Sequence, residues 1–177
     1  MGRYSIVEPD ERILESLKGS ESALIVGCTH CANISIGYDR NLPIFHITHD
    51  KGTEIKSAKP VAVVREAERF KKLFESRGVK TNIEVYPLIC SAIESDKPEI
   101  LEPMGFPPNL KDRDVGIVLA LTCTGEGLTG VKRMVREGVK VVPAMRTIGG
   151  HEPVLSFDAA SGNVFVDRDK SVFIRRE

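Results

Sequence analysis

The segment from Val115 to Ala144 constrains the fold more than any other. It opens on the continuous apolar run "VGIVLAL" (115–121), then places Leu128, Val131, Met134 and Val135 on one side of a helical repeat. Gly138 supplies a stop and "VKVVPA" (139–144) follows. A run that is apolar at every position suits a strand covered on both faces, and the 3.6-residue spacing suits an amphipathic helix. Strand, helix and strand in that order imply a right-handed parallel crossover.

The rest of the chain is read around that unit. "ALIVG" (23–27) is too short for a helix and too uniformly apolar for a surface strand, so it is a second buried strand. "TNIEVYPLI" (81–89) alternates Ile83 and Val85 with polar neighbours, as a less buried strand does. One helix is expected from Pro9 at its first position, with Ile13, Leu14 and Leu17 as its stripe and Gly19 as its stop. Another is expected within "PVAVVREAERFKKLFESRG" (60–78), where Val63, Ala67, Phe70 and Phe74 share a face. Residues 32–59 read as an irregular excursion in which only "PIFHIT" is strand-like, and the prolines between 98 and 108 allow a short helix and an exposed loop. Short strand patterns after residue 151 suggest a small antiparallel meander over 152–177. The expectation is one α/β domain over 1–177, an open and mostly parallel sheet with flanking helices and that C-terminal β tail. A length of 177 residues with 41% hydrophobic suits one core.

Twenty-five basic and 25 acidic side chains leave no net charge, hence no electrostatic footprint for nucleic acid or an anionic membrane. A small molecule or a protein partner fits better. The N-terminal stretch has no apolar core of signal-peptide length and no segment approaches the ~20 apolar residues of a membrane span. A cytoplasmic protein is expected, where cysteines point to metal or redox chemistry more than to structural disulfides.

The four cysteines, Cys28, Cys31, Cys90 and Cys123, each follow an expected strand. If those strands are parallel, the loops leave along one edge, the edge where ligands bind in α/β folds. Four clustered thiolates repel one another unless a cation neutralises them. A [4Fe-4S] cluster takes four cysteines from separate loops. Zinc also accepts four, usually from two short Cys-x-x-Cys knuckles, of which this chain has one. "CTHC" also fits a redox dithiol, with His30 placed to stabilise a thiolate. Against this, "ANISIG" is a poor helix start, and Cys90 and Cys123 would have no role.

"GEGLTG" sets Gly125, Gly127 and Gly130 in the spacing of a dinucleotide fingerprint, after a strand and opening a helix. An equal reading is that small residues let the backbone pass close to a cluster bound by Cys123, with amides directed at it. Gly125, Gly127 and His30 are therefore expected beside the cofactor. His46, His49 and His151 read as surface or ordinarily bonded histidines. Arg146 and His151, separated by "TIGG", follow the fourth strand near the same edge, and read either as binders of an anionic group or a partner or as a solvated loop.

The N-terminal helix, "VGCTHC" at a strand end, the solitary Cys90 and "LTCTGEG" together resemble a known family over roughly residues 10–146. It is the C-terminal domain, or separate small subunit, associated with methylenetetrahydrofolate reductases of some anaerobic bacteria. The resemblance implies that the cysteines hold an iron-sulfur cluster. It further implies an accessory or electron-transfer partner of a flavin-bearing catalytic subunit or another redox protein, not a catalyst by itself. The family commonly adds a second cysteine-rich segment near its C-terminus, and this chain has no cysteine after Cys123.

Overall fold

The structure, a computed structural model, describes residues 1–50, 52, 54–90 and 110–176. Among these residues four helices and eleven strands form three sheets. The central one is parallel: β2 (Ser22–Cys28), β5 (Lys80–Tyr86), β6 (Ile117–Leu121) and β7 (Lys140–Pro143), in the order β5-β2-β6-β7. In β2 every residue after Ser22 is buried, and in β6 every residue is, which is why both read as unbroken apolar runs. β2 pairs along its length with β5 and with β6.

Helices cover this sheet as their spacing dictates. In α3 (Ala62–Glu75) Val63, Ala67, Phe70 and Phe74 are all fully buried, and Gly27 of β2 lies so close that a Cβ there would stand 2.9 Å from Val63 Cγ2. α4 (Glu126–Met134) buries Val131 and Met134. α1 (Asp10–Ser16) buries Ile13, with Pro9 as its N-cap, one position earlier than expected. β5 ends at Tyr86, short of the expected 89. The proline-rich stretch expected to form a short helix and loop lies outside the described residues for the most part. No helix among the described residues is long and apolar enough to cross a membrane.

The sheet content is not mostly parallel. Two further sheets are antiparallel: β1 (Gly2–Val7), β8 (Met145–Glu152) and β11 (Val172–Arg175) in the order β1-β8-β11, and β3 (Phe45–His49), β4 (Ile55–Pro60), β9 (Leu155–Asp158) and β10 (Asn163–Val166) in the order β4-β3-β10-β9. The tail is therefore not a separate meander. β9 and β10 form a hairpin that extends β3, while β11 pairs with β8. β1 has only modest apolar content, and its partner stands far along the chain: Ser5 Oγ and Thr147 Oγ1 meet at 2.9 Å across 142 residues. Pairing of that range leaves no local pattern to read.

The expected excursion after Cys31 begins instead with α2 (Cys31–Arg40). Six consecutive residues, Ala32 to Gly37, are buried in it, because one side joins the main core through Ala32 and Ile36 while Ile34 joins a second core with Ile44, Val164 and Val166. A helix covered all round carries no amphipathic repeat. Its polar residues are satisfied at a distance: Asn33 Nδ2 donates to the Ile44 carbonyl at 2.7 Å, and Asn33 Oδ1 accepts from the Val63 amide at 2.9 Å.

Candidate cysteine site

The order β5-β2-β6-β7 sets the first and third parallel strands side by side, with the chain winding away from them in opposite directions. That makes the C-terminal ends of β2 and β6 the switch point, where α/β sheets open a crevice. Cys28 is the last residue of β2, Cys31 the first of α2, Cys123 lies two residues beyond β6 and Cys90 four beyond β5. A cavity of about 420 Å³ opens there, and Cys31, Cys90 and Cys123 line it together with Gly2, Arg3 and Glu126. Cys28 is buried outside the lining but within electrostatic reach of Cys31 and Cys90. All four cysteines are free thiols.

Backbone amides converge on the sulfurs. Burial pushes the Cys28 thiol up, opposed by the His30 and Ile89 amides, and the neighbouring thiols Cys31 and Cys90 add to the rise. Cys123 is pushed up to about 12, chiefly by burial, against the Gly127 amide. Burial also works to raise Cys31, but the His151 ring, the Arg3 amide and the Arg3 guanidinium outweigh it, so the thiol lies below its ordinary range. The helix start at Cys31 places the positive end of α2 at that sulfur as well.

The glycines of "GEGLTG" serve these loops. Gly125 caps α4 with φ of +87°, a left-handed backbone that favours glycine. A Cβ on Gly127 would stand 2.9 Å from Cys123 Sγ, and one on Gly130 would stand 2.2 Å from the Ile89 carbonyl oxygen, next to Cys90. The close passage of small residues past the cysteine loops thus accounts for two of the three. His30 caps α2, and its Nδ1 lies 3.5 Å from Cys31 Sγ, while its amide serves Cys28.

Three further residues complete the site: Arg3 carries no signal in its local sequence, whereas Glu126 stands within "GEGLTG" and His151 follows the last parallel strand. Arg3 reaches across the cavity to Glu126 at 2.9 Å, so β1 and α4 are tied at its mouth. His151 is not in a solvated loop: it lies in β8, 2% exposed, against Gly2 and 5.3 Å from the Phe173 ring. Among the described residues neither of its ring nitrogens has a formed hydrogen bond, and it acts on Cys31 across a looser contact. Arg146 also belongs to β8 and pairs with Glu8 at 3.5 Å. His46 and His49 lie in β3, the first bonded to Asn163 at 3.1 Å and the second edge-on to Phe157 at 5.8 Å.

Among the described residues no group of three or more His, Cys, Asp or Glu side chains is arranged to hold a single metal ion. The thiols are spaced around a cavity instead. No protein-family model, curated protein or solved structure matches the chain.

Proposed function

We propose that the chain holds one [4Fe-4S] cluster on Cys28, Cys31, Cys90 and Cys123 and serves as an electron-transfer or accessory partner of a one-carbon reductase of the methylenetetrahydrofolate reductase type. Folate and flavin would then belong to the partner. The observation that carries this reading is the cavity of about 420 Å³ at the sheet switch point, with three thiols on its wall and the fourth beside them. A cavity walled by thiols suits a multi-iron group better than one zinc ion, which draws its sulfurs to about 2.3 Å from a single point.

When bound, such a cluster supplies one-electron transfer. The chain's own part is electrostatic. The amides of His30, Ile89, Arg3 and Gly127 withdraw charge from the thiolate sulfurs, and the Arg3 guanidinium lies on the cavity wall. Both effects favour the more negative, reduced state. A protein partner is supported by large apolar side chains left exposed on edge strands, Leu155 and Phe157 on β9 and Val172 and Ile174 on β11.

The test is iron and acid-labile sulfide analysis of protein purified without oxygen, beside Cys28→Ser, Cys31→Ser, Cys90→Ser and Cys123→Ser. Iron with equal sulfide, lost in each variant, is the expected result; one zinc without sulfide would replace the cluster by a structural metal. A second reading is favoured by α2, which supplies the helix start that "ANISIG" argued against. Cys31, half-buried on the cavity wall, would be the attacking thiolate and Cys28 its resolving partner, the pair losing two electrons and two protons to an oxidised acceptor as the disulfide forms. Metal-free protein in which a Cys28–Cys31 disulfide titrates reversibly, unchanged in the Cys90→Ser and Cys123→Ser variants, would establish it.

A further inference from the structure

A second cavity, of about 550 Å³, lies behind the same N-terminal strand, lined by Tyr4, Tyr38, Asp39, Arg168, Phe173 and Arg175. Arg3 faces the cysteine cavity and Tyr4, the next residue along β1, faces this one, as alternate strand positions do. Its floor is a stack of rings. Tyr38 lies parallel to Phe173 with centroids 3.7 Å apart, and Tyr4 meets Phe173 edge-on at 5.0 Å. The Arg168 guanidinium covers the other face of Tyr38, 4.3 Å from its centroid, and donates to the Tyr38 carbonyl. Arg175 stands beside the Tyr4 hydroxyl, which itself donates to Asp39 at 2.6 Å.

The charges do not balance within the cavity. Among the described residues no carboxylate lies within ion-pair distance of Arg168 or Arg175; Asp39, the one acid on the wall, acts on both guanidinium groups at longer range. Arg40, next to Asp39 in the chain, is held by Glu66 at 2.9 Å. Two guanidinium groups against one carboxylate already engaged by a hydroxyl leave an excess of positive charge, and further N–H donors, on the wall of a space of ligand size. Arg168 is held flat on Tyr38 and tied to its carbonyl, so it loses little rotamer freedom when it takes a partner.

We propose that this cavity is an anion-binding site that takes the phosphate or carboxylate group of a small molecule, with Arg168 and Arg175 as its ligands and the Tyr38–Phe173 stack as the platform that orients Arg168. The planar guanidinium fork matches either oxyanion bidentately. The proposal stands whether the cysteines hold a cluster, zinc or a disulfide.

The test is calorimetric titration of the full chain with inorganic pyrophosphate and, separately, citrate, at constant ionic strength. Saturable binding of at least one probe is expected. Arg168→Gln and Arg175→Gln should each weaken it by at least about tenfold, the loss of one charge-assisted contact. Arg168→Lys should weaken it too, because charge without the flat fork does not reproduce the geometry, and Arg12→Gln on exposed α1 should leave it unchanged. Melting curves of the variants show that each is folded before it is titrated. Binding of pyrophosphate alone or citrate alone would tell a phosphate from a carboxylate ligand. No saturable binding at millimolar probe, or binding that survives both Arg→Gln variants, would overturn the assignment.

Discussion

Cys31 and Cys123 share a cavity wall, yet their surroundings drive their acidities apart, the first downward and the second up to about 12. Reactivity follows the thiolate fraction, so in metal-free protein Cys31 should be alkylated first, at least about tenfold faster than Cys28 or Cys123 at neutral pH. Its rate should rise through a midpoint below that of an ordinary cysteine. Timed iodoacetamide labelling read by peptide mass spectrometry checks this, and equal labelling of the three would mean that His151 and Arg3 do not act on Cys31 as their placement implies. Arg3→Gln, with its charge removed, should slow Cys31 and should not speed Cys123, because the Arg3 guanidinium acts on both sulfurs. The cysteines themselves were legible in the sequence because each follows an apolar strand, and strand ends of a parallel sheet share an edge. Arg3 and the buried setting of His151 were not legible, since their adjacency is made by β1 lying against β8 and no motif marks that pairing, although "GEGLTG" held Glu126 and His151 was read near this edge.

At the scale of elements, α4 and the turn carrying Cys90 are in backbone contact through Gly130, where a Cβ would stand 2.2 Å from the Ile89 carbonyl. Gly130→Ala should displace that turn and destabilise the fold by about 1–3 kcal/mol, the usual range for overpacking. Iron and sulfide should fall while the parallel sheet persists, measured by metal analysis beside far-ultraviolet circular dichroism. Full cluster content in the folded variant would show that Cys90 tolerates the displacement. The parallel sheet and α1, α3 and α4 were readable because burial on one side writes a helical repeat and burial on both sides writes an apolar run. α2 was missed for the converse reason: it lies between two cores, and its buried Asn33 and Ser35 look like loop residues until their partners, Ile44 and Val63 for one and Arg3 and Ser5 for the other, are known.

Across the whole molecule, the two antiparallel sheets stitch distant parts of the chain together. β8 is the seam of one of them, and Gly149 within it leaves no room: a Cβ there would stand 1.6 Å from the Ile174 carbonyl. Gly149→Ala should detach β11 from β8, lowering the denaturant midpoint and raising amide exchange in residues 172–175 before that of β2 and β6; protection that stays uniform would count against the seam. β1 pairs with β8 from Gly2 opposite His151 to Val7 opposite Met145. During vectorial synthesis all four cysteines leave the ribosome before any part of β8 does, so β1 has no strand to join and Arg3 no fixed place while they do. The cysteine cavity is therefore built in sequence, thiols first and wall last, and a cofactor loaded during translation would meet an open crevice that closes only when β8 has emerged and paired with β1.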